Sequence, residues 1–178
     1  MSSTFEQVAY FNRQFGVTTG QETPNPNIFN ENPGLVTKCL NLIREEAREL
    51  EEGVQNKNLV EVADAIFDSV YVLMGMAARL GLDFNKGFAA VHNNNMTKLC
   101  KTEDEAQRTV QKYVDAYNAA QLLTPEERNK VQVYDSPKYR QAPDNIHWVV
   151  YNESCKKVLK SINWVDVDLS WVAAPQQA

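Results

Sequence analysis

The chain has 178 residues, 43% hydrophobic and 23% charged, a balance that fits one ordinary domain with a modest appendage and excludes a disordered chain. Its net charge of −5 speaks against a nucleic-acid polymer as partner, because a polyphosphate backbone needs a basic surface. The longest apolar run, Val70 to Ala78, falls far short of the ~20 residues of a membrane span, so no membrane partner is expected.

Residues 4–16 read as a helix, with Phe5, Val8, Phe11 and Phe15 at helical spacing. Thr18 to Pro33 is rich in Pro, Asn and Gly and reads as a loop. A helix is expected over 35–52, closed by Gly53, and a second over 59–80, closed by Gly81. The short link between them predicts an antiparallel helical hairpin. A third helical stretch covers 84–99. Thr102 and Glu105 form a capping box for a fourth, running to about residue 121. Thr124 and Pro125 suggest a further short helical turn. Residues 135–145 read as a loop, and 146–151 and 157–162 as two strands joined through 152–155. The expected fold is therefore all-α, a helical-hairpin core of four to five helices with a small C-terminal β-hairpin. The expected division is 1–122 for the helical domain and 123–178 for the extension.

Two features bear on location and redox state. Met1 to Glu6 shows no basic segment followed by an apolar run, so a secretory signal is not expected. Cys39, Cys100 and Cys155 are scattered without zinc spacing and read as reduced thiols of a cytoplasmic protein.

The chemistry lies in the acidic residues. On a wheel advancing about 100° per residue, Val36, Cys39, Leu40, Ala47 and Leu50 cluster around Ile43. Glu46 and Glu49 fall on one flank of this stripe, with Glu45 just beyond; Arg44 and Arg48 fall on the other. Alone, such a run reads as a solvated face. The helix 59–80 changes the balance, because it is apolar or small nearly all round and its acidic exceptions, Glu61, Asp64 and Asp68, share one face. Tyr71 and Gly75 continue that face. Buried carboxylates repel one another unless neutralised, and no lysine or arginine precedes Arg79 in this helix. Hard divalent ions with oxygen ligands are the economical answer. Six facing carboxylates suit two or more Mg²⁺ ions, with Mn²⁺ as a substitute. Zinc chemistry, an EF-hand and glycine-rich phosphate loops have no counterpart in the sequence.

Glu45-Glu46-x-x-Glu49 followed by Glu61-x-x-Asp64 resembles the E-E-x-x-E … E-x-x-D signature of the MazG-like and phosphoribosyl-ATP pyrophosphohydrolase superfamily. The run Val91-His92-Asn93-Asn94-Asn95-Met96-Thr97-Lys98-Leu99 and the ending Lys157 to Ser161 are similar to segments of its bacterial and phage branch. The chain departs from the pattern in one place. Many members carry a Glu three residues before the last Asp, and if Asp68 is that Asp, position 65 is Ala. Either Glu61 and Asp64 form the pair, or Asp64 and Asp68 do, and all three stay as candidates.

The resemblance implies Mg²⁺-dependent hydrolysis of a nucleoside triphosphate to the monophosphate and pyrophosphate. It implies metal ligands among Glu45, Glu46, Glu49, Glu61, Asp64 and Asp68, and a general base at Glu49 or Glu46, with Glu49 preferred. Asn95 and Lys98 would meet phosphate; His92, Tyr71 and Asn12 are further substrate contacts. Phe11 and Phe15, on the helix of Asn12, read better as core than as contacts to the base. The branch points to deoxypurine substrates, dGTP or dATP, in the cytoplasm of a bacterium or a phage-infected host, with dUTP or dCTP as the alternative. It also implies a dimer or tetramer of the chain. Outside enzymes, the competing expectation is a non-catalytic helical oligomer holding divalent ions for structure.

Overall fold

The computed structural model describes residues 3–17 and 23–173. The described residues form seven α-helices and one two-stranded sheet, so the all-α expectation with a small β appendage holds, with more helices than the four to five expected. The helices are α1 (Thr4–Gln14), α2 (Ile28–Glu31), α3 (Pro33–Gln55), α4 (Leu59–Arg79), α5 (Phe84–Met96), α6 (Glu103–Gln121) and α7 (Pro125–Arg128). The strands are β1 (Pro137–Gln141) and β2 (Trp148–Asn152). No described helix is long and apolar enough to cross a membrane.

The chain divides into two compact units, with the boundary inside α5. The first holds the chain to Ala89 and the segment from Asp168 onward. Its framework is the expected antiparallel pair of α3 and α4, crossed by α1. Asn58 starts α4 by accepting from the Val60 and Glu61 amides, which relieves two of the unpaired donors of a helix N-terminus. Gly53 does not end α3, which continues to Gln55; it is buried where the helices meet, and a Cβ there would stand 3.0 Å from the Val62 nitrogen. It is a close-approach residue rather than a cap. Gly81 does end its helix: its φ of +70° is the left-handed conformation of a helix C-terminus. The α1–α4 crossing is clamped by the buried Asn12, whose Nδ2 donates to the Gly75 carbonyl at 3.2 Å. In the returning C-terminal segment, Trp171 takes the Lys86 ammonium over its ring at 4.0 Å.

The second unit, Ala90–Val167, packs α6 against the sheet. Its core is Cys100, Ala106, Val150 and Leu159, flanked by Tyr113, Tyr134, Tyr139 and Trp148. The hairpin differs from expectation. β1 forms from residues read as loop and pairs antiparallel with β2, Tyr139 opposite Val150, while 157–162 contributes only an isolated bridge, Tyr151 to Val158. The reason lies in the partners of that last segment. Tyr113 Oη donates to the Lys160 carbonyl and accepts from its amide, Thr109 accepts from the Ile162 amide, and Ser161 donates to the buried Glu105. Side chains of α6 thus satisfy the backbone groups of Lys160 and Ile162 that a strand would otherwise have paired. Glu105 is also only half of the expected capping box: Thr102 accepts from its amide, but its carboxylate accepts from the Lys101 amide. Complete boxes stand at α1, between Ser3 and Glu6, and at α7, between Thr124 and Glu127.

Candidate functional site

The hairpin of α3 and α4 carries Glu45, Glu46 and Glu49 on one helix and Glu61, Asp64 and Asp68 on the other. They are not equivalent. Glu45, Glu49, Glu61, Asp64 and Asp68 are exposed in the single chain, and Glu46 is partly buried. The expectation that the α4 acids are buried is therefore corrected: the burden of burial falls on α3, at Glu46. Its Oε2 is shut off from solvent and has no hydrogen-bond partner. Burial raises its carboxyl above the ordinary carboxylate range, and the charges of Glu49, Asp68, Glu45 and Asp64 raise it further. Four of the other five acids thus act on Glu46, two from each helix.

Nearby cations do not relieve this. Arg48 reaches Glu52 at 2.7 Å and Glu49 at 3.7 Å, so it compensates the rim of the cluster; no hydrogen bond reaches Glu46 Oε2. As the side chains stand, among the described residues no three His, Cys, Asp or Glu groups converge as a metal centre. Like-charged carboxylates without a counter-charge are expected to splay in this way. A partly buried carboxylate oxygen with no donor, surrounded by further carboxylates, has the chemistry of an oxygen-ligand site for a hard divalent cation.

The other candidates are distributed as follows. Tyr71, on the Asp68 side of α4, meets Phe11 of α1 edge-on, ring centroids 5.7 Å apart. Asn12 is buried, with its amide donating to Gly75, so it acts first as an interhelix clamp. His92, Asn95 and Lys98 belong to the second unit. There, Lys98 Nζ donates to Asn95 Oδ1 at 2.7 Å, making the two residues one polar pair, and His92 is exposed. The core reading of Phe11 and Phe15 is overturned, since both rings are exposed; the adjoining Gly16, which ends the helical run in the sequence, was the available signal.

Two comparisons bear on these residues. The family described as phosphoribosyl-ATP pyrophosphohydrolase matches residues 8–95, a span that contains the C-terminal part of α1, all of α3 and α4, and all six acids. An uncharacterized protein of Acanthamoeba polyphaga mimivirus is 29% identical over 137 residues, covering 77% of this chain and 49% of the viral protein. The chain thus spans about half the length of that relative.

Proposed function

Because residues 8–95 belong to the phosphoribosyl-ATP pyrophosphohydrolase family, we propose that the chain is a Mg²⁺-dependent nucleoside triphosphate pyrophosphohydrolase. It cleaves between the α and β phosphates to give a nucleoside monophosphate and pyrophosphate. The observation that supports this most is the unpartnered Glu46 oxygen, with carboxylates of both helices acting on it.

Glu46 would hold the cation, with Glu45, Glu49, Asp64 and Asp68 around it and Glu61 at the N-terminal end of α4. Bound Mg²⁺ would neutralise phosphate charge and acidify the attacking water. Glu49, exposed at the edge of the cluster, takes the water's proton. The water oxygen forms the new bond to the α-phosphorus as the bond to the bridging oxygen breaks, and pyrophosphate leaves. Lys98 and Asn95 are assigned to phosphate recognition, with His92 beside them in the motif.

We further propose that the working form is a dimer or tetramer. Ile66, Val70 and Leu73 of α4 are exposed in the single chain, and an apolar helix face of this kind is normally covered. A second copy is the occupant implied by the resemblance.

The test is release of pyrophosphate, read as phosphate after added inorganic pyrophosphatase, across a panel of ribo- and deoxynucleoside triphosphates with and without Mg²⁺. Turnover that requires the metal is expected, with dGTP or dATP foremost. A panel without any metal-dependent turnover would sink the enzymatic reading and leave the ion-binding helical oligomer. A dUTP or dCTP preference would overturn only the purine assignment.

A further inference from the structure

In a chain whose net charge is −5, the second unit holds eleven Lys and Arg against ten Asp and Glu. Its cations are not evenly paired. Lys156 reaches Glu153 at 2.9 Å and Arg108 reaches Asp104 at 2.8 Å. Lys112, Lys157 and Lys160 are exposed and, among the described residues, none has a carboxylate within ion-pair distance. Each stands over an aromatic ring instead. Lys160 Nζ lies 3.3 Å from the centre of the Trp164 ring, Lys157 Nζ 5.4 Å from that of Tyr134 and Lys112 Nζ 5.8 Å from that of Tyr113.

The rings are joined. Tyr113 and Tyr134 meet edge-on with centroids 5.7 Å apart, and Tyr113 Oη holds the Lys160 backbone by both its carbonyl and its amide. Beside Trp164, the Val165 carbonyl accepts from Asn94. The acids nearest in sequence do not serve the lysines: Asp135 accepts from Ser154, Asn152 and Ser136, Asp115 accepts from Gln111, and Asp166 makes no ion pair with them. Trp164 adds a second kind of unanswered donor, because its Nε1 is shut off from solvent and has no hydrogen-bond partner. A buried donor without an acceptor is costly.

We propose that Lys112, Lys157 and Lys160, with the Trp164 indole N–H, form a binding site for an oligophosphate chain, built wholly from the second unit and needing no metal. Rings hold exposed cations weakly, whereas phosphate oxygens accept charge-assisted hydrogen bonds from ammonium groups. Exchanging ring for phosphate is therefore favourable, and an anion seated here also offers the Trp164 donor its missing acceptor. The spacing of the ammoniums selects the length of the ligand. They are set along a row of rings rather than converging on a point, so linked phosphates meet them in succession where a lone phosphate leaves some bare. The shared chemistry is a run of two or more phosphates, supplied by inorganic pyrophosphate or tripolyphosphate or by the tail of a nucleoside triphosphate.

The experiment titrates the full chain by calorimetry, in chelator at low salt, with inorganic phosphate, pyrophosphate, tripolyphosphate, dATP and a single-stranded oligothymidylate. Wild type is compared with the double variant Lys157→Gln/Lys160→Gln, with Trp164→Phe and with Lys98→Gln, and circular dichroism checks that each stays folded. Tripolyphosphate should bind without metal, roughly tenfold or more tighter than inorganic phosphate, and its affinity should fall as salt rises. The double variant should lose roughly tenfold or more in affinity, and Trp164→Phe, which keeps a ring under Lys160, roughly threefold or more. Lys98→Gln, in the segment assigned above to substrate phosphate, should leave the affinity unchanged. Binding of dATP as tightly as tripolyphosphate would support the site with a nucleotide tail as its source, and binding of the inorganic chains alone would support it with those. No binding in chelator, an unchanged affinity in the double variant, or loss with Lys98→Gln in its place overturns the site. So does an oligothymidylate that outcompetes tripolyphosphate, because the row would then be a nucleic-acid surface. The measurement involves neither Mg²⁺ nor turnover, so its result stands apart from the hydrolase reading.

Discussion

Replacing Glu46 by Gln separates what the carboxylate does for metal binding from what it does to the fold. In the metal-free protein Glu46 has a buried oxygen without a partner and four carboxylates acting on it. An unsatisfied buried polar group costs ~1–3 kcal/mol, more when charged, so the neutral amide should stabilise the metal-free fold by about 1 kcal/mol. For a chain of this size that is roughly 2–4 °C in Tm. The metal reverses the order. At a Mg²⁺ concentration 100 times Kd, wild type gains about 2.7 kcal/mol; a variant whose affinity has fallen about a hundredfold gains only about 0.4 kcal/mol by the same relation. The melting curves should therefore cross: the variant is higher without Mg²⁺, wild type higher with it, and turnover is lost in the variant. The pH dependence has a definite sign. The folded carboxyl of Glu46 lies above its ordinary value of 4.5, so metal-free wild type gains stability as pH falls from neutrality towards 4.5, and Glu46→Gln should lack that gain. A wild type melting at or above Glu46→Gln in chelator, or equal Mg²⁺ shifts in both proteins, would refute the reasoning.

Further outcomes follow from the packing. Gly53→Ala sets a helix-propensity gain of about 0.8–1 kcal/mol against a Cβ placed 3.0 Å from the Val62 nitrogen. Backbone cannot yield as a side chain does, and overpacking costs ~1–3 kcal/mol, so net destabilisation of up to about 2 kcal/mol is expected in a urea titration; Gly75→Ala, whose Cβ would meet only Asn12 and Val8 at 3.8 Å, should instead gain up to about 1 kcal/mol. If both substitutions move the midpoint the same way, the assignment of Gly53 as the contact point is wrong. Val70→Asp should lower the assembly state in light scattering at low micromolar protein while leaving far-ultraviolet circular dichroism unchanged, and an unaltered mass would move the self-association face off α4. Hydrogen bonds from Ser154, Asn152 and Ser136 hold Asp135 at about 2, below its usual 3.8; its contribution is complete above pH 3.8 and is lost as pH falls through about 2. Acid unfolding followed by Trp148 fluorescence should accordingly become less steep in Asp135→Asn, and an identical acid limb would count against that network.

Helical periodicity carried the helical part of the fold, because the α3–α4 pair is local in sequence and its caps, Asn58 and Gly81, act within a few residues. Misreadings arose where a distant partner decides. Residues 157–162 have the alternation of a strand, but the side chains of Tyr113, Thr109 and Glu105 on α6 take up their polar groups. Pro137–Gln141 has little strand signal and becomes β1 because β2 pairs with it and α6 packs against it. Gly53 carries the same letter as a helix terminator, and only the approach of Val62 shows otherwise.

The candidate site divides along the same line. Glu45, Glu46 and Glu49 look alike in sequence, and wheel position set Glu46 and Glu49 together on one flank. In the structure the rotation of α3 against α4 turns Glu46 inward and leaves Glu49 exposed beside Arg48. Spacing alone could show that Glu61, Asp64 and Asp68 share a face, but not that Asp68 acts on Glu46 more strongly than Asp64 does. The open choice of pair on α4, Glu61 with Asp64 or Asp64 with Asp68, can be put to the test from this ordering, since Asp68 is the α4 acid with the larger effect on Glu46. The consequence is measurable. Asp68→Asn should weaken Mg²⁺ stabilisation more than Glu61→Gln does, and the opposite ranking would return the ligand pair to the N-terminal end of α4.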